Sequence, residues 1–315
     1  MPALSINSVQ KKYLPRYLQA YRTGMLKEKI QRGRKLLENC RLCPRNCEVN
    51  RYEKPGKICQ IGHFAKVSNH FPHFGEESCL TGFNGSGTIF FISCNLRCVF
   101  CQNWDISNSQ NGREVQPEEL ANIMMDLQDR GCHNINLVTP SHVAVQILEA
   151  LEIAINLGLC LPLVYNTSAY DSEISLELLD GIIDIYLPDF KFWNPKSAKL
   201  FLNAQDYPEI ATRNLKNMHC QVGNLKSDSN GIAYKGLLIR HLVMPGQLDD
   251  TKFILNFIAN EISIESAVNV MFQYHPEYKA SSAKYESINR LLTESERVSA
   301  LEYKTHSGLP DYSWS

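Results

Sequence analysis

The 315-residue sequence has no apolar run near the roughly 20 residues that a membrane-crossing helix requires. It has no excess of charge of either sign. Lysine and arginine number 32 against 33 aspartates and glutamates, a formal net charge of −1, so broad binding to a phosphate backbone is not expected. Residues Met1 to Lys12 lack the apolar segment of a secretory signal. These absences predict a cytoplasmic protein that binds neither nucleic acid nor membrane. Apolar residues themselves are plentiful, at 44% against 21% charged. The length suffices for one large α/β domain with an appendage.

Cysteine is abundant, with eleven in the chain. Without a secretory signal, close spacings read as metal or cluster ligands rather than disulfides. Cys94, Cys98 and Cys101 are separated by three and then two residues. Three thiolates on one short loop can hold three corners of a four-iron cluster, whereas electron-transfer clusters usually take four cysteines. The spacing therefore points to a cluster with one iron open to a small molecule. A second group, Cys40, Cys43, Cys47 and Cys59, is spaced by two, three and eleven residues. Four cysteines suffice for a closed zinc site or for an auxiliary iron–sulfur cluster, and the spacing does not choose between them. Cys79, Cys132, Cys160 and Cys220 are isolated, and Cys132 and Cys160 adjoin strands and read as core.

Val9 to Asn39 carries apolar residues at helical spacing and predicts one or two amphipathic helices. Cys40 to Cys59 reads as irregular loop. From Gly85 strands and helices alternate. Strands are expected at Gly87–Ile92, Asn134–Val138, Leu161–Tyr165, Ile182–Leu187, Gly236–Val243 and Val268–Gln273. Helices are expected from Pro117, from Thr139-Pro140 to Gly158, over Leu176–Leu179, twice between Lys196 and Met218, over Asp249–Asn260, and from Thr293 with Glu296 in a capping box. Six such units predict an α/β fold, a partial, open (β/α)6 TIM-like barrel with an N-terminal helical and cysteine-rich extension. The expected division is 1–83 for the extension, 84–290 for the core and 291–315 for a C-terminal helix and tail.

Ligands of such barrels gather at the C-terminal strand ends. Those ends carry the Cys94–Cys101 loop, Thr139-Pro140-Ser141-His142, Asn166-Thr167-Ser168, Asp189-Phe190-Lys191, Arg240-His241 and Tyr274-His275. Lys191, Arg240 and His275 thus converge on one rim, a plausible cradle for a carboxylate. Phe90, Val99 and Phe100 suit the exclusion of water; Phe90 reads first as plain core, and Phe100, which lies within the loop, reads equally as core.

The C-x3-C-x2-C loop, with Phe100 before its last cysteine, resembles the cluster signature of the radical S-adenosylmethionine (radical SAM) superfamily. Cys101-Gln-Asn103, Gly85-Ser-Gly-Thr-Ile-Phe-Phe-Ile92, Asp189-Phe-Lys191, Arg240 to Gly246 and Tyr274-His275 resemble the pyruvate formate-lyase activating enzymes. Cys40-x-x-Cys43-Pro44-Arg45-x-Cys47 is similar to a segment in a related branch of that group. The resemblance covers about residues 40 to 280. It implies a [4Fe-4S] cluster on Cys94, Cys98 and Cys101 that binds S-adenosylmethionine, with reductive cleavage to a 5'-deoxyadenosyl radical for hydrogen abstraction. It implies that Lys191, Arg240 and His275 lie near the methionyl carboxylate, that Phe100 can pack the adenine, and that Asn166 and Asp189 lie where relatives place a monovalent cation. Asn166 replaces an aspartate there, Ser93 stands where a glycine often precedes the first cysteine, and Thr139 to His142 stand where a Gly-Gly-Glu element is usual. The implied partners are an electron donor and a protein substrate of the glycyl-radical type. Alternative readings are radical modification of another protein or small molecule, a non-catalytic iron–sulfur carrier, and a zinc-binding interaction protein.

Overall fold

A computed structural model describes residues 13–312. The expectations for Val9 to Lys12 and for the end of the tail lie outside the described residues. Two helices come first, α1 (Arg16–Arg22) and α2 (Met25–Glu38). They are followed by β1 (Ala65–His73), α3 (Ser78–Thr81), β2 (Ser86–Phe91), α4 (Trp104–Ser107) and β3 (Arg113–Val115). Next are α5 (Pro117–Asp129), β4 (Ile135–Val138), α6 (Ala144–Leu157), β5 (Leu163–Thr167), α7 (Glu173–Leu179) and β6 (Ile185–Pro188). The chain continues through α8 (Pro195–Leu202), α9 (Tyr207–Val222), β7 (Lys226–Ser227), β8 (Ala233–Leu242), α10 (Leu248–Phe257), β9 (Ala267–Met271) and α11 (Glu294–Ser307).

Six strands, β2, β4, β5, β6, β8 and β9, pair parallel in that order. Helices alternate with them, so this is the partial (β/α)6 barrel that the alternation predicts. Local chemistry sets the helix ends. Gln116 and Glu119 form a capping box on α5 with Pro117 in the first turn. Thr293 and Glu296 form the box expected on α11. Gly158 ends α6 at φ 103°, a left-handed conformation that suits glycine. A β-carbon on Gly87 would lie 2.6 Å from the Asn134 carbonyl oxygen, so β2 meets the residues entering β4 at a distance that only glycine permits.

Several elements depart from the expectation. Strand β1 runs antiparallel to β2, and β3 pairs with β1, so the sheet extends past the barrel into the predicted appendage. The expected boundary at residue 84 falls in the connection between β1 and β2. Helix α6 starts at Ala144 rather than at Thr139, because Thr139 takes φ 60° and the chain turns before it can coil. Strand β9 ends at Met271, two residues before the expected end.

The N-terminal helices are anchored to the barrel. Asp184, just before β6, accepts from Tyr13 Oη (2.6 Å), the Arg16 amide (2.8 Å) and the Leu163 amide (2.8 Å). Tyr17 is fully buried and donates to the Leu161 carbonyl.

Candidate active site

Strand β2 delivers the Cys94–Cys101 loop to the C-terminal rim of the barrel. The loop turns sharply: Ser93 and Arg97 sit at φ 71° and 72°. The Leu96 amide donates to Cys94 Sγ at 3.3 Å, and Cys101 Sγ lies 3.2 Å from Ser107 Oγ. Cys94, Cys98 and Cys101 are free thiols and line one cavity of about 540 Å³. Burial pushes the Cys98 thiol well up, against the lowering influence of the Lys191 charge, and raises Cys101 against the Ser107 hydrogen bond. Coordination to iron would remove those protons.

The other walls come from successive strand ends. Phe100, Asn166, Asp189, Lys191 and Arg240 line the same cavity. Phe100 packs edge-on against Phe192 and Tyr274, with ring centroids 5.9 and 6.3 Å apart. Phe90 also lines the cavity and stacks on Phe71 at 5.5 Å, so it is more than plain core. Thr139 reaches the cavity, whereas Ser141 is buried and pairs with Thr167 Oγ1 at 3.2 Å. His142 bonds the Ile92 carbonyl at 2.9 Å, and burial with the nearby Arg51 charge lowers its pKa to about 3. It is therefore neutral, and Nε2 carries the proton that the carbonyl accepts.

His275 is not among the residues lining the cavity. Its side chain is 48% exposed and lies 3.4 Å from Glu277. Its place in the expected carboxylate cradle is not supported, because the chain after β9 turns the ring outward. Arg240 is in the cavity but already engaged. Its Nε bonds Asp189 (2.8 Å), Nη1 bonds Glu76 (2.7 Å) and Nη2 bonds Asn166 Oδ1 (2.7 Å). Lys191 Nζ takes the other Asp189 oxygen at 2.8 Å. Burial alone would raise Asp189, but the charges of Arg240 and Lys191 outweigh it and hold the carboxyl below its usual value. Burial likewise opposes charge on Lys191, and Asp189 and Cys98 more than reverse that. Arg240 thus bridges Asp189 and Asn166, the two residues that the resemblance placed near a monovalent cation, and Lys191 bonds Asp189.

Glu76 and Glu77, in the connection between β1 and β2, were not anticipated. Glu76 accepts from Arg240, from Asn166 Nδ2 (2.9 Å) and from Asn136 Nδ2 (3.2 Å). Glu77 accepts from Asn269 Nδ2 on β9 at 2.9 Å. Two adjacent carboxylates ahead of a strand were the one signal available. The contacts they make, 60 to 192 residues away along the chain, leave no local trace.

The donor set suits a cluster. Three thiols line the cavity, a lysine is within their electrostatic reach, and amide or hydroxyl groups bond two of the sulfurs. Among the described residues no group of three or more His, Cys, Asp or Glu is gathered so as to hold a metal ion. A cluster has a looser requirement, because each thiolate meets a different iron.

The family model for the radical SAM superfamily matches residues 88–258, more than half of the chain. The uncharacterized protein MJ0674 of Methanocaldococcus jannaschii is 36% identical over 295 residues, covering 90% of this chain and 80% of that protein. The uncharacterized protein MJ0808 of the same organism is 23% identical over 283 residues, covering 82% and 76%. The crystal structure of methylornithine synthase (PylB) aligns with 96% of this chain and 76% of its own, at 13% identity and a TM-score of 0.45.

Proposed function

We propose that this chain, which belongs to the radical SAM superfamily, holds a [4Fe-4S] cluster on Cys94, Cys98 and Cys101 and cleaves S-adenosylmethionine reductively. The observation that carries this reading is the placement of three free thiols on one cavity at the C-terminal ends of the parallel strands. Bound together, cluster and S-adenosylmethionine supply a 5'-deoxyadenosyl radical able to take a hydrogen atom from a substrate. The protein's own residues bind, orient and shield. Lys191 keeps donors beyond its bond to Asp189 and is the cation suited to a methionyl carboxylate. Arg240 acts one step back, fixing Asp189, Asn166 and Glu76. Phe90 and Phe100 give the cavity its apolar wall for an adenine ring and keep water out.

The substrate we favour is a backbone glycine of a partner enzyme, as the likeness to activating enzymes implies. Radical modification of a different protein or of a small molecule is the second reading. It is favoured by Arg240, which bonds both Asn166 and Asp189, the pair that the likeness sets near a cation in the activating enzymes. Anaerobic reconstitution, reduction and assay for 5'-deoxyadenosine test the common step. The wild-type chain is expected to form the product, and alanine at Cys98 is expected to abolish it. The glycyl reading requires an organic radical on an added partner enzyme, and its absence with every candidate encoded in the same genome would leave the second reading.

A further inference from the structure

Directly against the Cys94–Cys101 loop lies the other cysteine group. Cys40, Cys43, Cys47 and Cys59 are each at most 9% exposed, and none is in a disulfide. The segment from residue 40 to residue 64 contains no helix and no strand before β1, yet it is closely built. The Cys40 amide donates to Val49 O at 2.9 Å and the Glu48 amide to Cys40 O at 3.0 Å. Asn46, Glu48 and Gln60 hold φ of 45°, 55° and 56°, conformations a non-glycine residue keeps only where its surroundings impose them. A β-carbon on Gly56 would lie 2.7 Å from Cys59 Sγ. The thiols share one locality: Cys43 is within electrostatic reach of Cys40 and Cys59, and Cys59 of Cys40 and Cys47. The Arg51 guanidinium is buried beside them, 4.0 Å from Cys40 Sγ.

The two loops are bonded to each other. Arg45 donates to the carbonyls of Asn95 (2.8 Å) and Leu96 (2.9 Å), and Arg97 donates to the Ile58 carbonyl.

We propose that Cys40, Cys43, Cys47 and Cys59 hold a second [4Fe-4S] cluster, closed by four thiolates, that relays electrons to the active-site loop, against which Arg45 and Arg97 fasten it. A one-electron donor protein carrying a reduced flavin or iron–sulfur centre reduces the second cluster. That electron then passes to the cluster on Cys94, Cys98 and Cys101, and the second cluster returns to its oxidised state. The last transfer rests on the function proposed above; the site itself does not. A zinc ion is the alternative occupant. It would close the same four thiolates but could not carry an electron.

The test is iron, acid-labile sulfide and zinc per chain, with low-temperature electron paramagnetic resonance, on anaerobically reconstituted full-length protein. The wild type is expected to hold about eight irons, and both Cys43→Ala/Cys47→Ala and Cys94→Ala/Cys98→Ala/Cys101→Ala about four. The triple variant should keep a reducible cluster whose signal S-adenosylmethionine does not alter. It leaves the N-terminal group intact, so it decides the matter even if the double variant fails to fold. A triple variant with no iron, or one zinc per chain at the N-terminal group, would overturn the proposal. A wild type with about eight irons that forms no 5'-deoxyadenosine would sink the proposed function and leave the second site standing. Product formation with only about four irons would do the reverse.

Discussion

Replacing Glu76 with glutamine probes the charge lattice that shapes the cavity. Glu76 takes three donors, at 2.7 Å from Arg240, 2.9 Å from Asn166 and 3.2 Å from Asn136, and its side chain is only 10% exposed. Glutamine keeps one acceptor oxygen for three donors, and its NH2 group has no acceptor on Arg240, although the unpartnered Asn136 Oδ1 can take it. A hydrogen bond to a charged partner contributes about 1.5–3 kcal/mol. Cutting a buried pair outright costs about 3–5 kcal/mol, but Arg240 retains Asp189 and Asn166, so the lower range applies. The expected loss is about 2 kcal/mol, or roughly 4 °C in the unfolding midpoint for a chain of this size. Anaerobic thermal unfolding of the cluster-free chain reads this directly. A cycle with Arg240→Gln should show a coupling of about 1–3 kcal/mol between the two sites. S-adenosylmethionine affinity, measured alongside, should change by less than about threefold. Unchanged stability with a large loss of affinity would refute the reasoning, because Glu76 would then be a ligand contact rather than a brace.

Four further outcomes are expected. Lys191→Met should weaken S-adenosylmethionine binding by about 10- to 100-fold in equilibrium dialysis, since it removes the charged donor while Arg240 still holds Asp189. Alanine at Cys94, Cys98 or Cys101 should each eliminate iron from the active-site loop, read as a loss of visible absorbance relative to wild type. His241 is buried, and its pKa is lowered to about 4 mainly by that burial. The unfolded chain binds this proton first, so the stabilisation His241 gives is full above pH 6.5 and declines by about 1.4 kcal/mol per pH unit between 6.5 and about 4. His241→Gln should flatten that slope in urea unfolding across pH, and an unaltered slope would remove the histidine from the account. Gly87→Ala should cost about 1–3 kcal/mol, seen as a lower urea midpoint at constant slope, because the Asn134 carbonyl already fills the space.

The barrel was legible because its strands are short apolar runs separated by helical periodicity, and buried parallel strands look like that whatever lies around them. The cysteine loop was legible because its ligands lie within eight residues of one another. Strand β1 was not. Its exposed Asn69 and half-buried His70 and Pro72 break both apolar continuity and strict alternation, and it joins the barrel strands through pairing with β2. The start of α6 was misplaced because Thr139-Pro140 is a good local start signal that the left-handed Thr139 overrides. At the site, position along the chain gave the strand ends but not side-chain direction. Asp189, Lys191 and Arg240 point inward together, while His275 points out to Glu277. The engagement of Arg240 was invisible because its partner Glu76 is 164 residues away and belongs to a connection with no motif of its own.

The central claim is that three thiolates leave one iron able to bind the sulfonium nucleotide. It is tested most directly by electron–nuclear double resonance on the reduced protein, using S-adenosylmethionine labelled with 15N in its amino group and 17O in its carboxylate. The account predicts hyperfine coupling of both labels to the cluster in the wild type and in the Cys43→Ala/Cys47→Ala variant. A reduced cluster on Cys94, Cys98 and Cys101 that shows no coupling to either label would contradict it.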